Sequence, residues 1–168
     1  MRRRVELLVL LLLLIGADQA TKHLARGALS GDSPRHFGVV TLLYTENSGA
    51  FLSIGSNLPG RLRAAIFDGI VSIALGAAAF VLFRGGVKSA ADEVAVALII
   101  GGGVGNLIDR LRFHGRVTDF LYLSAGPLHT GVFNVADMAI TVGIVWLLLA
   151  WGFARRRSTR ASRGNVGL

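Results

Sequence analysis

The chain has 168 residues, enough for one ordinary domain, and its charged residues make up 17% where a soluble globular domain commonly carries about 25%. The formal net charge is +8, but the positive charge gathers at the two ends of the chain and no basic domain interleaved with aromatic residues is left, which argues against nucleic-acid binding. The absence of cysteine excludes disulfide bonds, a thiolate nucleophile and a zinc–thiolate site.

Four apolar blocks are each long enough to cross a lipid bilayer as a helix. The hydrocarbon core of a bilayer, about 30 Å thick, needs about 20 mostly apolar residues in helical form. The blocks cover about residues 5–24, 64–83, 94–110 and 132–153. We therefore predict an all-α integral membrane protein with four transmembrane helices, in which residues 1–154 form a single membrane-embedded domain.

The first block follows three arginines, a pattern that also describes a cleavable secretory signal. Cleavage of such a signal requires small residues just after the apolar run. Asp18 occupies one of those positions. We therefore predict that the first block is retained as a membrane span.

The basic ends predict the orientation of the chain in the membrane. Four spans place both termini on one side, and arginines flank the outermost spans, at 2–4 and between 155 and 163. Positive residues beside spans favour the cytoplasmic side. Both termini are therefore predicted to be cytoplasmic, and segments 25–63 and 109–131 to lie outside. The polar, basic tail 155–168 is predicted to be disordered.

The outer segment 36–54 differs in composition from the apolar blocks. It is rich in β-branched and aromatic residues and contains the turn-forming run Asn47-Ser48-Gly49. This composition is typical of a β-hairpin or a small sheet. We therefore predict a small extracytoplasmic β-rich element at the membrane surface.

Five aspartates lie inside or beside the apolar blocks, where a carboxylate is costly and calls for an explanation: Asp18, Asp68, Asp109, Asp119 and Asp137. Asp119 and Asp137 both fall near the outer boundary of the membrane. Two carboxyls about 3–5 Å apart cannot both ionise comfortably, so one pKa rises and the pair shares a proton. Such a pair can take a proton from water and give one to a scissile amide. The spacing alone leaves two other readings open, a helix N-terminal acid for Asp137 and a turn acid for Asp119.

The end of the third block carries a second polar group. Gly101 and Gly105 form a face of small residues that lets a neighbouring backbone approach closely. Asn106 lies within one helical turn of Asp109 and Arg110. Helix packing with a salt bridge from Asp109 to an arginine is the alternative to a functional site here. A nucleotide-binding loop is excluded, because the glycines lie inside an apolar span and do not follow a strand.

Two further acids are accounted for by simple ion pairs. Asp18 and Lys22 are four residues apart near the end of the first span, as in an intrahelical ion pair. Asp68, in the second span, is expected to pair with an outer arginine such as Arg61 or Arg63. The four histidines lack the spacing of metal ligands, and we predict no metal site.

Five short stretches together resemble the lipoprotein signal peptidase family, also called signal peptidase II. They occur in the order of that family and between spans of the same topology, and the resemblance covers about residues 5–153. The stretches are DQATK at 18–22, NSGAF at 47–51, GNLIDR at 105–110, VTDF at 117–120 and FNVAD at 133–137. No single stretch is decisive, but five in register are highly specific.

The resemblance implies an aspartic endopeptidase that removes signal peptides from diacylglyceryl-modified prolipoproteins, cleaving just before the lipidated cysteine. It implies that Asp119 and Asp137 are the catalytic pair. The substrate-binding residues that it implies are Asn47, Gly49, Asn106, Arg110 and Asn134, and the supporting polar network is Asp18, Lys22 and Asp109.

The same resemblance implies the setting in which the chain acts. The enzyme would need no cofactor and would lie in the bacterial cytoplasmic (inner) membrane, among membrane lipid, with its active site at the extracytoplasmic face. Globomycin-type cyclic peptides would be expected to inhibit it. Two alternatives from other classes remain for these acids, a proton-coupled membrane carrier and a non-catalytic membrane scaffold.

Overall fold

A computed structural model gives the structure of the chain and describes residues 1–48 and 60–164. Within these residues the chain forms four helices, α1 Arg2–Leu29, α2 Gly60–Arg84, α3 Ala90–Arg112 and α4 Val135–Gly164. The prediction of one helix for each apolar block is confirmed. By length and composition, two stretches of the described residues could each cross a membrane, Ala90–Arg112 and Val135–Phe153.

Helix α3 lies at the centre of the bundle and packs against the other three helices. Its glycines make this close packing possible, as the sequence predicts. A Cβ added to Gly101 would collide with the Leu14 side chain, and one added to Gly105 would lie 2.5 Å from a carboxyl oxygen of Asp18. One of the two buried apolar clusters lies among α1, α2 and α3, and consists of Leu7, Leu11, Leu82, Ala97 and Ile100.

Helix α4 extends further than the sequence predicts. Its apolar block was expected to end near residue 153 and to be followed by a disordered tail, but the helix continues through Gly164. Because adding a residue to an existing helix costs little once the helix has been nucleated, a polar segment can continue it. The Arg155 guanidinium also stacks over the Trp151 ring, 5.4 Å from its centroid. Helix α4 therefore extends beyond the predicted end of the apolar block.

A four-stranded antiparallel sheet accompanies the helices, which confirms the predicted β-rich element. Its strands lie in chain order, β1 Arg35–Phe37, β2 Val40–Asn47, β3 Val117–Ala125 and β4 Leu128–His129. The turn between β1 and β2 contains Gly38, whose φ of 62° favours glycine. Asn47 ends β2, so the turn predicted there does not close this hairpin, and Gly49 lies outside the described residues.

Strands β3 and β4 come from a segment for which no strand was predicted from the sequence. Strand β3 pairs with β2 along most of its length, with Thr45 opposite Asp119 and Asn47 opposite Val117. Asp119 is therefore a strand residue, and its reading as a turn acid is wrong. The pairing carries Asp119 and Asn47 to the same end of the helical bundle.

Candidate active site

Strand β3 places Asp119 in a buried position between two asparagines. The residue is only 2% exposed. Asn47, at the end of the paired strand, donates its amide hydrogen to one carboxyl oxygen at 3.1 Å. Asn134 donates to the other oxygen at 2.7 Å. Both oxygens of Asp119 are thus held in fixed directions by neutral donors.

Asp137 lies in the first turn of α4 and forms a capping box with Asn134. The Asn134 side-chain oxygen accepts a hydrogen bond from the Asp137 backbone N–H at 2.9 Å. In return, one Asp137 carboxyl oxygen accepts from the Asn134 backbone N–H at 3.2 Å. The reading of Asp137 as a helix N-terminal acid is therefore correct as a description of its local structure. This cap also fixes the direction in which its carboxyl points.

Asn106 on α3 joins the two carboxyls into one group. Its side-chain nitrogen donates to Asp137 at 2.8 Å. Its side-chain oxygen accepts from Asn134 at 3.1 Å, and the same Asn134 nitrogen holds Asp119. A continuous chain of amide hydrogen bonds therefore connects Asp119, Asn134, Asn106 and Asp137.

A buried ion cluster lies directly behind these amides. Lys22, fully buried on α1, donates to the Asn106 oxygen at 2.8 Å and lies 2.9 Å from a carboxyl oxygen of Asp18. The Lys22 ammonium is 3.7 Å from Asp109, which is also fully buried. The intrahelical ion pair predicted from the spacing of Asp18 and Lys22 is therefore present. Because a buried charge is tolerated only when paired and hydrogen-bonded, these residues hold one another in place.

Asp18 and Asp109, the two buried aspartates of this cluster, also hold in place the elements that carry Asp119 and Asp137. Asp18 accepts a hydrogen bond from the backbone N–H of Ala136, beside Asp137, at 2.9 Å. Asp109 accepts from the backbone N–H of Thr118, beside Asp119, at 2.9 Å. Helices α1 and α3 thus set the positions of the first turn of α4 and of the start of β3.

The electrostatic environment of Asp119 favours its protonated form. Burial raises the pKa of Asp119 most, and the charge of Asp137 raises it further. The hydrogen bonds from Asn47 and Asn134 and the charge of Lys22 oppose this rise. The net pKa lies above that of an exposed aspartate, as expected when two carboxyls influence each other.

Arg110 and Asp68 lie to one side of this network. Their side chains approach to 3.9 Å, from the Arg110 Nε to a carboxyl oxygen of Asp68. The partner expected for Asp68 was Arg61 or Arg63, whose side chains lie outside the described part of the structure. An arginine from α3 is therefore the described partner of Asp68, because α2 packs against α3.

Three residues of the network were not singled out from the sequence. Gln19 donates to Asp109 at 3.2 Å and to the Gly105 carbonyl at 3.0 Å. Arg26 lies 3.5 Å from Asp109 and donates to the Thr118 hydroxyl at 2.5 Å. The sequence did contain one signal for Arg26, since it lies four residues after Lys22 on the same helical face. No comparable signal marked Thr118.

Asp137 is accessible from a groove of about 460 Å³ beside α4. The groove is largely apolar and opens between the start of α4 and strand β3. Its lining residues are Leu123, Thr130, Gly131, Val132, Phe133, Asp137, Met138, Thr141 and Val142. An extended peptide or a lipid chain could therefore reach Asp137 from this side.

Residues 10–153 match the family model described as signal peptidase (SPase) II. The chain belongs to the signal peptidase II family. It is 35% identical to the lipoprotein signal peptidase of Francisella tularensis subsp. novicida (strain U112), over 94% of this chain and 98% of that protein. It is 38% identical to the lipoprotein signal peptidase of Vibrio parahaemolyticus serotype O3:K6 (strain RIMD 2210633), over 71% of this chain and 69% of that protein.

Two solved structures described as bacterial membrane enzymes have a similar fold. One superposes with a TM-score of 0.75 at 26% sequence identity, covering 87% of this chain and 92% of the other. The second gives a TM-score of 0.73 at 25% identity, covering 87% of each chain. As a member of the signal peptidase II family, the chain is a peptidase and so a hydrolase. The fold that it shares with two membrane enzymes agrees with membrane-associated helices. The resemblance found in the sequence is thereby confirmed.

Proposed function

We propose that the chain is an aspartic endopeptidase that removes signal peptides from diacylglyceryl-modified prolipoproteins, cleaving just before the lipidated cysteine. The observation that carries the proposal is the bridge of two asparagines between Asp119 and Asp137. It connects the buried Asp119 to Asp137, which lines the accessible groove, so that the two carboxyls can act as one group.

In this proposal the carboxyl pair carries one shared proton. The ionised carboxyl accepts a proton from water as the water oxygen attacks the carbonyl carbon of the scissile bond. The protonated carboxyl then gives its proton to the departing amide nitrogen, and the carbon–nitrogen bond breaks. The pKa of Asp119 is raised, chiefly by burial and further by the charge of Asp137, which is the direction that a shared proton requires. Asn47, Asn106 and Asn134 orient the carboxyls, and with Gly49 and Arg110 they shape the substrate site.

We propose a bacterial cytoplasmic membrane location, with all four helices spanning the bilayer and the active site at the extracytoplasmic face. Many large apolar side chains on the helices are exposed, among them Leu13 at 67%, Ile73 at 74% and Trp151 at 63%, as expected for lipid-facing surfaces. The site lies where α1 and α3 end and α4 begins, opposite the basic ends of the chain. A substrate could therefore keep its lipid in the bilayer while its peptide bond meets water.

A lipidated peptide tests the proposed activity directly. We expect purified protein in detergent micelles to release a product whose N-terminus is the diacylglyceryl cysteine, identified by mass spectrometry. Because each buried methylene contributes about 0.8 kcal/mol, the same peptide without its lipid should show kcat/KM at least about 100-fold lower. Globomycin should inhibit the reaction. A carrier or a scaffold would release no product from either peptide, and equal cleavage of both would contradict the proposed substrate.

Reporter fusions test the proposed orientation. A reporter active only in the cytoplasm should be active when fused after Leu168 and inactive when inserted within the outer segment 25–63. The basis is the cluster of arginines at both ends of a chain with four spans. An extracytoplasmic C-terminus would overturn this topology.

A further inference from the structure

A second cavity lies between α1 and the end of α3, separate from the groove beside Asp137. Its volume is about 530 Å³. It shares no lining residue with the groove beside Asp137. The residues that line it are Gln19, His23, Arg26, Gly27, Arg112 and Phe113.

The lining of this cavity includes an arginine whose positive charge no acidic side chain of the described residues neutralises. Arg26 is engaged, since it contacts Asp109 and Thr118 and stacks over the Phe113 ring, 4.3 Å from its centroid. Arg112 is exposed, and within residues 1–48 and 60–164 it has no hydrogen bond or ion pair. The neighbouring exposed His23 is equally without a partner there. An anion in the cavity could therefore pair with the Arg112 guanidinium and accept a hydrogen bond from a ring N–H of His23.

The wall of the cavity also contains an acceptor that lacks a donor. The side-chain nitrogen of Gln19 donates to Asp18, Asp109 and the Gly105 carbonyl, which fixes the orientation of the amide. Its oxygen is buried without a hydrogen-bond partner, the one such side-chain atom in the described part of the chain. The Gln19 amide therefore connects the cavity wall to Asp18 and Asp109 and is held in one orientation.

The surroundings of the cavity are apolar and exposed. Leu24 is 66% exposed and Leu111 is 70% exposed, each adjacent in sequence to a cavity residue. Along the face of α1 that carries Gln19 and His23, Gly16 has open space at its Cα, and Leu12 is 61% exposed. A polar, cationic cavity thus continues into an apolar strip of helix surface. This combination matches a molecule with an anionic head and long hydrocarbon chains.

We propose that this cavity binds the headgroup of an anionic glycerophospholipid, of the phosphatidylglycerol type. The phosphate lies between Arg112 and His23, both of which line the cavity. The acyl chains follow the face of α1 from His23 to Leu12. Basic pockets between membrane helices commonly bind lipid headgroups in this way. The assignment rests on the membrane location proposed above, but not on the peptidase chemistry.

Lipid retention in native mass spectrometry, together with thermal unfolding in detergent, tests the site. The full chain should retain phosphatidylglycerol in preference to phosphatidylcholine, and added phosphatidylglycerol should raise its Tm. Because one basic residue near a membrane contributes about a fivefold change in lipid affinity, Arg112→Gln should weaken phosphatidylglycerol binding about fivefold. The matched control is Arg35→Gln, another exposed arginine, paired with Asp32 and absent from the cavity lining. It should bind as the wild type does.

The outcomes distinguish a specific lipid site from a general charge effect and from a phosphate site. Equal lipid binding by Arg112→Gln and the wild type would overturn the proposal, as would an equal loss in Arg35→Gln. Stabilisation by inorganic phosphate or soluble glycerol phosphate to the same extent would overturn the lipid assignment in favour of a free phosphate. Arg112→Gln should keep its cleavage of lipidated peptide in detergent. If Arg112→Gln loses lipid binding but keeps cleavage, the result supports the lipid site. Lipid binding is measured separately from cleavage, so it tests the site even if the chain cleaves no peptide.

Discussion

Replacing Asp119 or Asp137 with asparagine is expected to lower kcat for a lipidated peptide by about 10²–10⁴-fold or more. An amide has nearly the size and shape of a carboxyl, so each variant should still insert and fold. It cannot accept a proton from water or hold the proton that the pair shares. Steady-state rates of the purified variants in detergent, with Tm as the check on folding, measure the effect.

Asp68→Asn is the matched control for these two variants. Asp68 is a partly buried aspartate within the apolar helix α2. Its described partner is Arg110, at 3.9 Å, and no hydrogen bond in the described residues joins it to either bridging asparagine. Asp68→Asn should keep substantial activity.

The wild-type pH profile of kcat/KM should be bell-shaped, rising as one carboxyl of the pair ionises and falling when the pair loses its last proton. Near-wild-type turnover by Asp119→Asn or Asp137→Asn would contradict the proposed chemistry.

Replacing Lys22 with methionine is expected to have the largest effect on stability. Lys22 is fully buried, and its ammonium is the nearest cation to Asp18, at 2.9 Å, while it also lies 3.7 Å from Asp109. Methionine fills a similar volume but leaves two buried acids with less compensating charge. Breaking a buried ion pair by removing one partner commonly costs about 3–5 kcal/mol. We expect a loss of that size in the free energy of unfolding, measured by denaturant or thermal unfolding in detergent.

Two comparisons show whether the uncompensated charge is responsible. Adding Asp18→Asn to Lys22→Met removes one of the stranded acids and should recover part of the lost stability. Arg35→Gln breaks the exposed ion pair with Asp32, and should cost less than about 1 kcal/mol. If Lys22→Met were as mild as Arg35→Gln, the cluster would not be holding the helices together.

The sequence was sufficient for the helices and for the two candidate catalytic acids. Each apolar block is long and continuous, so its helical form follows from local composition. Asp119 and Asp137 could be singled out because a carboxylate beside an apolar segment is costly and needs a reason. The Asp18–Lys22 pair followed from a spacing of four on one helical face.

The sequence was insufficient where residues far apart in the chain meet. Strand β3 pairs with β2 although helices α2 and α3 lie between them in the chain, and no local pattern indicates that register. For the same reason the bridge from Asn106 to Asn134 could not be inferred from the separate stretches that contain them. The extension of α4 beyond residue 153 could not be predicted from composition, because composition does not show how readily an existing helix is extended by further residues.

The double variant Asp119→Asn/Asp137→Asn tests most directly whether the two aspartates act as one unit. Its kcat for the lipidated peptide should be measured beside those of the two single variants under identical conditions. If one shared proton passes through both carboxyls, losing either removes the whole contribution, and the double variant should be scarcely slower than either single one. Losses that multiply, so that the double variant is slower by the product of the two single effects, would contradict the two-aspartate mechanism.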